Sequence, residues 1–196
     1  MLANFVAEFQ SFLPVLNPGQ ISALEAHLAL LERWNRSINL TGIKARNETI
    51  RRHVGESLFL AAHLPAGVLR ICDLGSGGGF PGIPVAIVRP DCEVSLVESD
   101  VRKVVFLREA SRNLRNVRVV TGRFESVQGE FDWVVSRAVN LATVFGGPVC
   151  ANAAFLGFVV ESASGGTKPN LAVAYDWEQF ALPWDLASFL SVGARR

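Results

Sequence analysis

The sequence has few of the residues that mark secreted or metal-binding proteins. It holds only three cysteines, Cys72, Cys92 and Cys150, and no two of them form a CxxC pair. An odd number of cysteines without that spacing predicts free thiols in a reducing compartment. The three histidines also lack the spacing of metal ligands, so no metal site is expected.

Long apolar runs and an N-terminal targeting pattern are missing too. The longest apolar stretch, residues 149–160, is interrupted by Asn152 and is well short of the roughly 20 residues that cross a bilayer. Glu8 precedes the first basic residue, Arg33, so neither a signal peptide nor a transit peptide is expected. We therefore expect a cytoplasmic protein without a membrane partner. A length of 196 residues suits one α/β domain with a small extension.

The net charge is only +1, but basic residues are concentrated in two tracts. Residues 33–53 contain six Arg or Lys against one acid, and residues 102–123 contain seven against one. If the fold joins the two tracts, they form one face for an anionic ligand. Two separate, solvated helix faces would explain the pattern equally well.

Residues 1–64 are predicted to form a helical extension. Asn17 followed by Pro18 is a helix N-cap signal, and apolar residues then recur at helical spacing as far as Trp34. Residues 39–42 break that pattern, and a further helix is expected over about 48–62.

Residues 65–196 alternate between strand and helix patterns. The predicted strands are 68–74, 93–98, 117–121, 131–136 and 155–160, and the predicted helices are 84–89 and 100–114. This alternation indicates a Rossmann-like, doubly wound, mostly parallel α/β sheet with its ligand at the carboxyl ends of the strands. The final 26 residues are expected to add an antiparallel edge hairpin.

The strongest chemical signal is a glycine-rich turn directly after the first predicted strand. Residues 73–82 read Asp-Leu-Gly-Ser-Gly-Gly-Gly-Phe-Pro-Gly. Glycine permits positive φ angles and lets a ligand approach backbone N–H groups, and a helix that begins behind such a turn is typical of nucleotide sites. Glu98, at the end of the second predicted strand, supplies an acceptor for ribose hydroxyls.

The acid before the turn helps to choose between two nucleotide ligands. The glycine spacing satisfies GxGxxG, so a nicotinamide oxidoreductase is one hypothesis. Asp73, however, suits a ligand with a cationic amino-acid end, which it can favour directly or through water, whereas a pyrophosphate prefers bare N–H groups. These features favour S-adenosylmethionine.

Four segments resemble one known family. They are residues 34–41 (WNRSINLT), 52–58 (RHVGESL), 73–84 and 135–138 (VSRA), in family order. The chain resembles the glucose-inhibited division protein B family, the guanine-N7 methyltransferases of bacterial small-subunit ribosomal RNA. The resemblance implies a class I S-adenosylmethionine-dependent methyltransferase that methylates N7 of one guanine in the decoding region of 16S rRNA.

The resemblance, together with the glycine turn, also implies a set of site residues. The expected donor-binding residues are Asp73, Gly75, Ser76, Gly77, Gly79, Phe80, Glu98, Ser99, Phe124, Glu125 and Arg137. Phe124 and Glu125 would lie beside the adenine, and Arg137 would position the reacting groups, unless it forms an ion pair with Asp73 or Glu98. The expected RNA contacts are Arg51, Arg52, His53, Arg102 and Lys103, with a packing function as the alternative for His53.

Methylation at guanine N7 needs no general base, because N7 already carries a free lone pair. Alignment of the reactants can supply most of the effect, and no catalytic dyad is expected. We expect a monomer whose substrate is a structured ribonucleoprotein or assembly intermediate. The chain departs from the family pattern at Glu56, where the family usually has Asp, and at residues 161–166, where a Lys-Gly pair is common. A non-catalytic relative that binds the donor or RNA is therefore a third hypothesis.

Overall fold

The structure is a computed structural model and describes residues 1–137, 153–161 and 175–196. The first elements are α1 (Leu2–Glu8), α2 (Pro18–Trp34), α3 (Arg46–Thr49), a π-helix (Ile50–Gly55) and α4 (Glu56–His63). They are followed by β1 (Arg70–Leu74), α5 (Gly82–Val88), β2 (Glu93–Glu98), α6 (Val101–Ala110), β3 (Val117–Thr121), a 3-10 helix (Phe124–Ser126), β4 (Trp133–Arg137), β5 (Phe155–Glu161), β6 (Tyr175–Leu182) and β7 (Asp185–Arg195). The departure expected at residues 162–166 lies outside the described residues.

The described strands form one sheet in the order β3-β2-β1-β4-β5-β7-β6. Strands β1 to β5 are parallel, and β7 runs antiparallel to both β5 and β6. The strand order reverses between β1 and β4, and in such sheets a ligand binds beyond the carboxyl ends of the strands at that switch point. The predictions of a doubly wound, mostly parallel sheet and of a C-terminal antiparallel hairpin are confirmed.

Helix α2 begins where the sequence predicts. Asn17 Oδ1 accepts the N–H of Gln20 at 2.9 Å, and Gln20 Oε1 accepts the N–H of Asn17 at 3.0 Å. This reciprocal capping box satisfies two backbone donors that a helix start leaves open. Gln20 also donates Nε2–H to Ile87 O at 3.2 Å, which ties the start of α2 to the end of α5.

The helix predicted over about 48–62 is present but contains a π-helical turn. Residues 46–63 are continuous α, π and α structure. A Cβ on Gly55 would lie 2.7 Å from Phe5 Cζ and 3.0 Å from Trp184 Cζ2. The absence of a side chain at Gly55 therefore lets rings from α1 and from the C-terminal hairpin pack directly on this segment. The π-helix widens the turn that carries His53 and Glu56.

The helices of residues 1–64 share one hydrophobic core with the sheet. Leu60 of α4 packs on β5, where a Cβ on Gly157 would lie 3.0 Å from Leu60 Cδ1. Helix α2 contacts both α5 and α6. The division of the chain into residues 1–64 and 65–196 stays a prediction. The packing places α2 directly behind the glycine turn.

Candidate functional site

The glycine turn connects β1 to α5 at the switch point of the sheet. The N–H groups of Gly75 and Ser76 both donate to Val97 O of β2, at 2.9 and 3.0 Å. The φ angles of Gly75, Gly77 and Gly79 are +72°, +50° and +86°, a region that only glycine adopts readily. Backbone hydrogen bonds to β2 therefore fix the turn from its inner side.

Two of the glycines face open space. Gly75 is exposed and Gly77 is half-buried. A Cβ on Gly77 would meet only Gly75 O, at 3.7 Å. This side of the turn has room for a ligand to approach the backbone.

Two other glycines face the protein interior. A Cβ on Gly78 would lie 2.9 Å from Leu31 Cδ1 of α2. A Cβ on Gly79 would lie 2.5 Å from Ile83 Cδ1 and 3.1 Å from His27 Nε2. Gly78 and Gly79 thus allow α2 and α5 to pack closely on the turn, and the donor contact expected of Gly79 stays a prediction.

Asp73 lies inside the turn and not on its open side. Its side chain is fully buried, and Oδ2 accepts the N–H of Gly82 in the first turn of α5 at 3.0 Å. Burial raises the pKa of the Asp73 carboxyl to about 7, and the Gly82 N–H opposes that rise. Ser76 is 1% exposed and donates its hydroxyl to Asp73 O at 3.0 Å. The side chains of Asp73 and Ser76 are thus engaged in hydrogen bonds within the turn, and the donor contacts expected of both residues, for Asp73 directly or through water, stay predictions.

Glu98 holds the turn from the neighbouring strand. Its Oε2 accepts the N–H of Gly77 at 3.0 Å, and its Oε1 accepts those of Ser99 and Asp100 at 2.8 and 2.9 Å. A carboxylate offers about four lone-pair positions, so one position, on Oε2, is left for a ribose hydroxyl. Ser99 is exposed beside it. The donor contacts of Glu98 and Ser99 stay predictions that this geometry permits.

Phe80 packs against the rings of two buried histidines. The Phe80 ring centroid lies 4.7 Å from that of His27 and 4.8 Å from that of His53, and Phe80 is 6% exposed. His27 donates Nε2–H to Gly78 O at 2.9 Å, and His53 Nε2 hydrogen-bonds with Thr41 Oγ1 at 2.7 Å. Burial lowers the pKa of His27 to about 4 and, with nearby cations, the pKa of His53 to about 3. The Phe80 ring is enclosed by protein, which leaves the backbone of Phe80 for the expected donor contact, and that contact stays a prediction.

Arg137 ends β4 at the carboxyl edge of the sheet. Its Nε donates to Glu56 Oε2 at 2.5 Å, with side-chain exposures of 15% for Arg137 and 2% for Glu56. Burial raises the pKa of Glu56, and the Arg137 guanidinium opposes that rise. The alternative of an ion pair with Asp73 or Glu98 is wrong, since the partner is Glu56 on α4. The placement of Arg137 at the target site stays a prediction.

The residues expected beside the adenine follow β3. Phe124 and Glu125 lie in the 3-10 helix that comes after Thr121, and Thr121 is the register partner of Glu98. Glu125 is exposed and pairs with Arg123 at 3.4 Å. This places the 3-10 helix at the same edge of the sheet as the glycine turn, and the adenine contacts stay predictions.

The expected RNA contacts near the π-helix have different environments. His53 is 4% exposed and packs on Phe80, an environment that fits the packing alternative, and its RNA contact stays a prediction. Arg51 is exposed and donates Nη2–H to Trp184 O at 2.8 Å, and Arg52 is half-buried. Contacts of Arg51 and Arg52 with RNA stay predictions.

The fold joins the two basic tracts where α2 and α6 meet. Arg33 Nη2 lies 2.5 Å from Glu109 Oε1, and Trp34 donates Nε1–H to Glu109 Oε2 at 3.0 Å. Glu109 is the single acid of the second tract, so it ties α2 to α6. We call the exposed arginines of this region the basic seam, which consists of Arg33, Arg36, Arg102, Arg108 and Arg112. Its Arg102, and the neighbouring half-buried Lys103, lie in the first turn of α6, four and five residues after Glu98.

The part of the chain that the structure describes contains no cluster of three His, Cys, Asp or Glu side chains placed to hold a metal ion. Among its helices, none is both long enough and apolar enough to cross a membrane.

The fold and the glycine turn define the class of protein. A magnesium protoporphyrin IX methyltransferase from Synechocystis PCC 6803, solved with bound S-adenosylmethionine, superposes with a TM-score of 0.62 at 14% identity, over 87% of this chain and 97% of that chain. A putative methyltransferase from Escherichia coli gives a TM-score of 0.58 at 18% identity, over 73% of this chain and 86% of that chain. The chain therefore has the Rossmann-like fold of class I S-adenosylmethionine-dependent methyltransferases.

Sequence similarity narrows this class to one family. The model of the family described as rRNA small subunit methyltransferase G matches residues 20–145, more than half of the chain, and the chain belongs to that family. Ribosomal RNA small subunit methyltransferase G of Chromobacterium violaceum is 45% identical over 134 residues, which is 66% of this chain and 64% of that protein. The Nitrosococcus oceani protein of that name is 44% identical over 127 residues, 63% of this chain and 58% of that protein. The matches thus span less than two thirds of these relatives, and the family resemblance predicted from the sequence is confirmed.

Proposed function

We propose that this chain is an S-adenosylmethionine-dependent methyltransferase that methylates N7 of a guanine in 16S rRNA. Its membership in the family of rRNA small subunit methyltransferase G is the observation that carries the proposal. Bound S-adenosylmethionine supplies an electrophilic methyl group. Because guanine N7 supplies its own lone pair, the protein has to align the two groups and does not have to remove a proton.

The open side of the glycine turn fits such a donor. Gly75 and Gly77 would accommodate the amino-acid end against their backbone, since neither position places a side chain there. Glu98 has one acceptor position left for a ribose hydroxyl. The adenine would then lie toward Phe124 and Glu125, beyond the end of β3.

The basic seam is the surface that we propose for the RNA. Its five exposed arginines join the two basic tracts, and Arg102 lies next to the proposed donor site. Phosphate contacts of this kind supply affinity without sequence preference, so the target guanine would be selected by RNA shape. We propose a structured ribonucleoprotein as the substrate, a monomer as the active form, and the cytoplasm as its location.

The test is a methyl-transfer assay with two RNA substrates. The protein is incubated with radiolabelled S-adenosylmethionine and small ribosomal subunits that lack 7-methylguanosine, and in parallel with deproteinised 16S rRNA. We expect 7-methylguanosine in the digested rRNA of the subunits. Deproteinised 16S rRNA that is methylated at the same rate as the subunits would contradict the ribonucleoprotein substrate.

A binding measurement beside this assay separates the competing hypotheses. Calorimetric titration with S-adenosylhomocysteine, the demethylated product, measures donor-site binding without RNA, and NADH is titrated in parallel. Binding of NADH alone would support the nicotinamide oxidoreductase. Binding of S-adenosylhomocysteine without any methyl transfer would indicate a non-catalytic relative.

A further inference from the structure

The helical extension contacts the glycine turn on the side opposite its open face. Helix α2 contributes His27 and Leu31, and the π-helix contributes His53. These side chains touch Gly78 and Phe80, both of which are buried. Neither histidine is an expected donor contact, and an RNA contact of His53 would not account for the packing of its ring on Phe80.

We propose that His27 and His53 are positioning residues for the donor, acting through Gly78 and Phe80 on the backbone that would bind S-adenosylmethionine. This inference rests on the donor site proposed above. It assigns to the helical extension a function in donor binding, in addition to any contact with RNA.

The contacts form a continuous path from α2 to the open side of the turn. His27 donates to Gly78 O at 2.9 Å and packs on Phe80 at 4.7 Å. The N–H of Phe80 donates to Ser76 O at 3.2 Å, and Ser76 lies between Gly75 and Gly77. A shift of Phe80 therefore moves the peptide group that separates the two ligand-facing glycines.

His53 is itself held in place by a residue of the extension. Its Nε2 hydrogen-bonds with Thr41 Oγ1 at 2.7 Å, and that oxygen also accepts the N–H of Ile43 at 3.1 Å. The segment between α2 and α3 thus fixes the His53 ring, and the ring lies against Phe80 at an interplanar angle of 23°.

A second histidine–phenylalanine arrangement supplies a matched control. His63 of α4 packs on Phe59 at 4.5 Å and on Phe180 at 4.4 Å, and its Nδ1 donates to Phe59 O at 2.8 Å. It has the same kinds of contact as His27, a ring contact and a bond to a backbone carbonyl. Its partners lie in α4 and β6 and not in the glycine turn.

The experiment compares His27→Ala, His27→Phe, His27→Gln and His63→Ala by calorimetry with S-adenosylhomocysteine. His27→Phe keeps a ring against Phe80 but loses the bond to Gly78 O, whereas His27→Gln keeps a donor and loses the ring. We expect His27→Ala to weaken the binding of S-adenosylhomocysteine about tenfold or more. The affinities of His27→Phe and His27→Gln should lie between those of His27→Ala and wild type, and His63→Ala should bind as wild type does. The Michaelis constant for the donor should rise in the His27 variants, while that for the RNA stays the same.

Stoichiometry distinguishes positioning from loss of folded protein. A variant that is partly and irreversibly misfolded has fewer binding sites per chain but the same dissociation constant for the remaining ones. A variant that unfolds reversibly has an apparent dissociation constant raised only by the reciprocal of its folded fraction, which urea unfolding measures. Unchanged dissociation constants in the His27 variants, or equal weakening in His63→Ala, would overturn the inference. If His27→Ala does not fold, His27→Phe decides by the same criteria. Wild-type protein that binds no S-adenosylhomocysteine would overturn the proposed function and, with it, this inference.

Discussion

Arg137 and Glu56 form a buried ion pair between the carboxyl end of β4 and the first residue of α4, with Nε and Oε2 2.5 Å apart. The pair joins the sheet edge to the helical extension. The family resemblance predicts that Arg137 belongs to the target site, and the structure shows that its guanidinium is held by the Glu56 carboxylate of the helical extension.

Because of this ion pair, we expect Glu56→Gln to lower the free energy of unfolding by a large amount. Removing the carboxylate leaves Arg137 charged, mostly buried and without its partner, which costs about 3–5 kcal/mol. Glu56→Asp keeps the charge, so we expect a smaller loss in the free energy of unfolding. Urea unfolding at neutral pH measures both.

Glu25→Gln is the control for this prediction. Glu25 pairs with Arg46, but its side chain is 35% exposed, and exposed pairs contribute about 1 kcal/mol or less. If Glu56→Gln costs no more than Glu25→Gln, the Arg137 pair does not stabilise the fold.

Two buried histidines predict a loss of stability in mild acid. The pKa of His27 is about 4 and that of His53 about 3 in the folded protein, both below the ordinary 6.5. At these two side chains the unfolded state therefore binds more protons than the folded state below about pH 6.5, and each pKa unit corresponds to about 1.4 kcal/mol. The free energy of unfolding is expected to fall as pH decreases from about 6.5 toward 4.

Asp73 has the opposite effect over an overlapping range. Its pKa of about 7 in the folded protein lies above the ordinary 3.8, so this carboxyl binds more protons in the folded state, and its contribution to stability is lost as pH rises from about 4 to 7. Asp73→Asn removes this opposing effect and leaves that of the histidines. We expect its free energy of unfolding to rise more steeply with pH between about 5 and 6.5 than that of wild type. Parallel slopes would show that Asp73 does not retain a proton.

The sequence correctly predicted those strands and helices whose hydrophobic pattern and boundary residues lie within the element itself. The strands predicted at 93–98 and 117–121 coincide with β2 and β3, because the apolar runs and their boundaries lie in the strands themselves. The π-helix was not predicted, because the local sequence has no signal for it, and the rings of Phe5 and Trp184 that pack against its Gly55 come from distant parts of the chain. His27 was missed as a site residue for the same reason: on an apolar helix face it looks like any core residue, and only the fold places it against Gly78.

The glycines of the turn have different structural surroundings that their sequence motif does not reveal. Five glycines read alike in the sequence, yet their surroundings predict different results for Gly77→Ala and Gly82→Ala. A Cβ on Gly82 would lie 2.2 Å from Leu96 Cδ2 and 2.6 Å from Asp73 Oδ2, and such overpacking costs roughly 1–3 kcal/mol or more. A Cβ on Gly77 would have room, so Gly77→Ala should lower the free energy of unfolding mainly through the strain of a positive φ, about 1–2 kcal/mol.

These variants are therefore expected to separate binding from stability. Gly77→Ala should weaken the affinity for S-adenosylhomocysteine more than it lowers the free energy of unfolding, because the new methyl group lies on the open side. Gly82→Ala should lower mainly the free energy of unfolding. Gly42→Ala is the control, since a Cβ there meets nothing within 4 Å. Equal affinity in Gly77→Ala and wild type would place the ligand elsewhere.

The basic seam predicts the salt dependence of RNA binding. Arg102 and Arg112 are exposed on or directly after α6, and removing one arginine–phosphate interaction should reduce the slope of log K against log salt by about 1. Arg102→Gln and Arg112→Gln should therefore weaken binding of small ribosomal subunits at low salt and flatten that slope. Their affinity for S-adenosylhomocysteine should equal that of wild type, because neither side chain contacts the glycine turn.

Arg70→Gln is the matched control for the seam. Arg70 is also a half-exposed arginine, but it lies at the amino end of β1, beside Glu130 and Asp132. The amino ends of the strands are at the edge of the sheet opposite the proposed donor site, so this variant should keep the wild-type slope. If Arg70→Gln flattens the slope as much as Arg102→Gln, the RNA is held by diffuse charge over the whole surface. If neither does, the contacts that supply affinity lie outside the seam, and Arg51 and Arg52 become the residues to test.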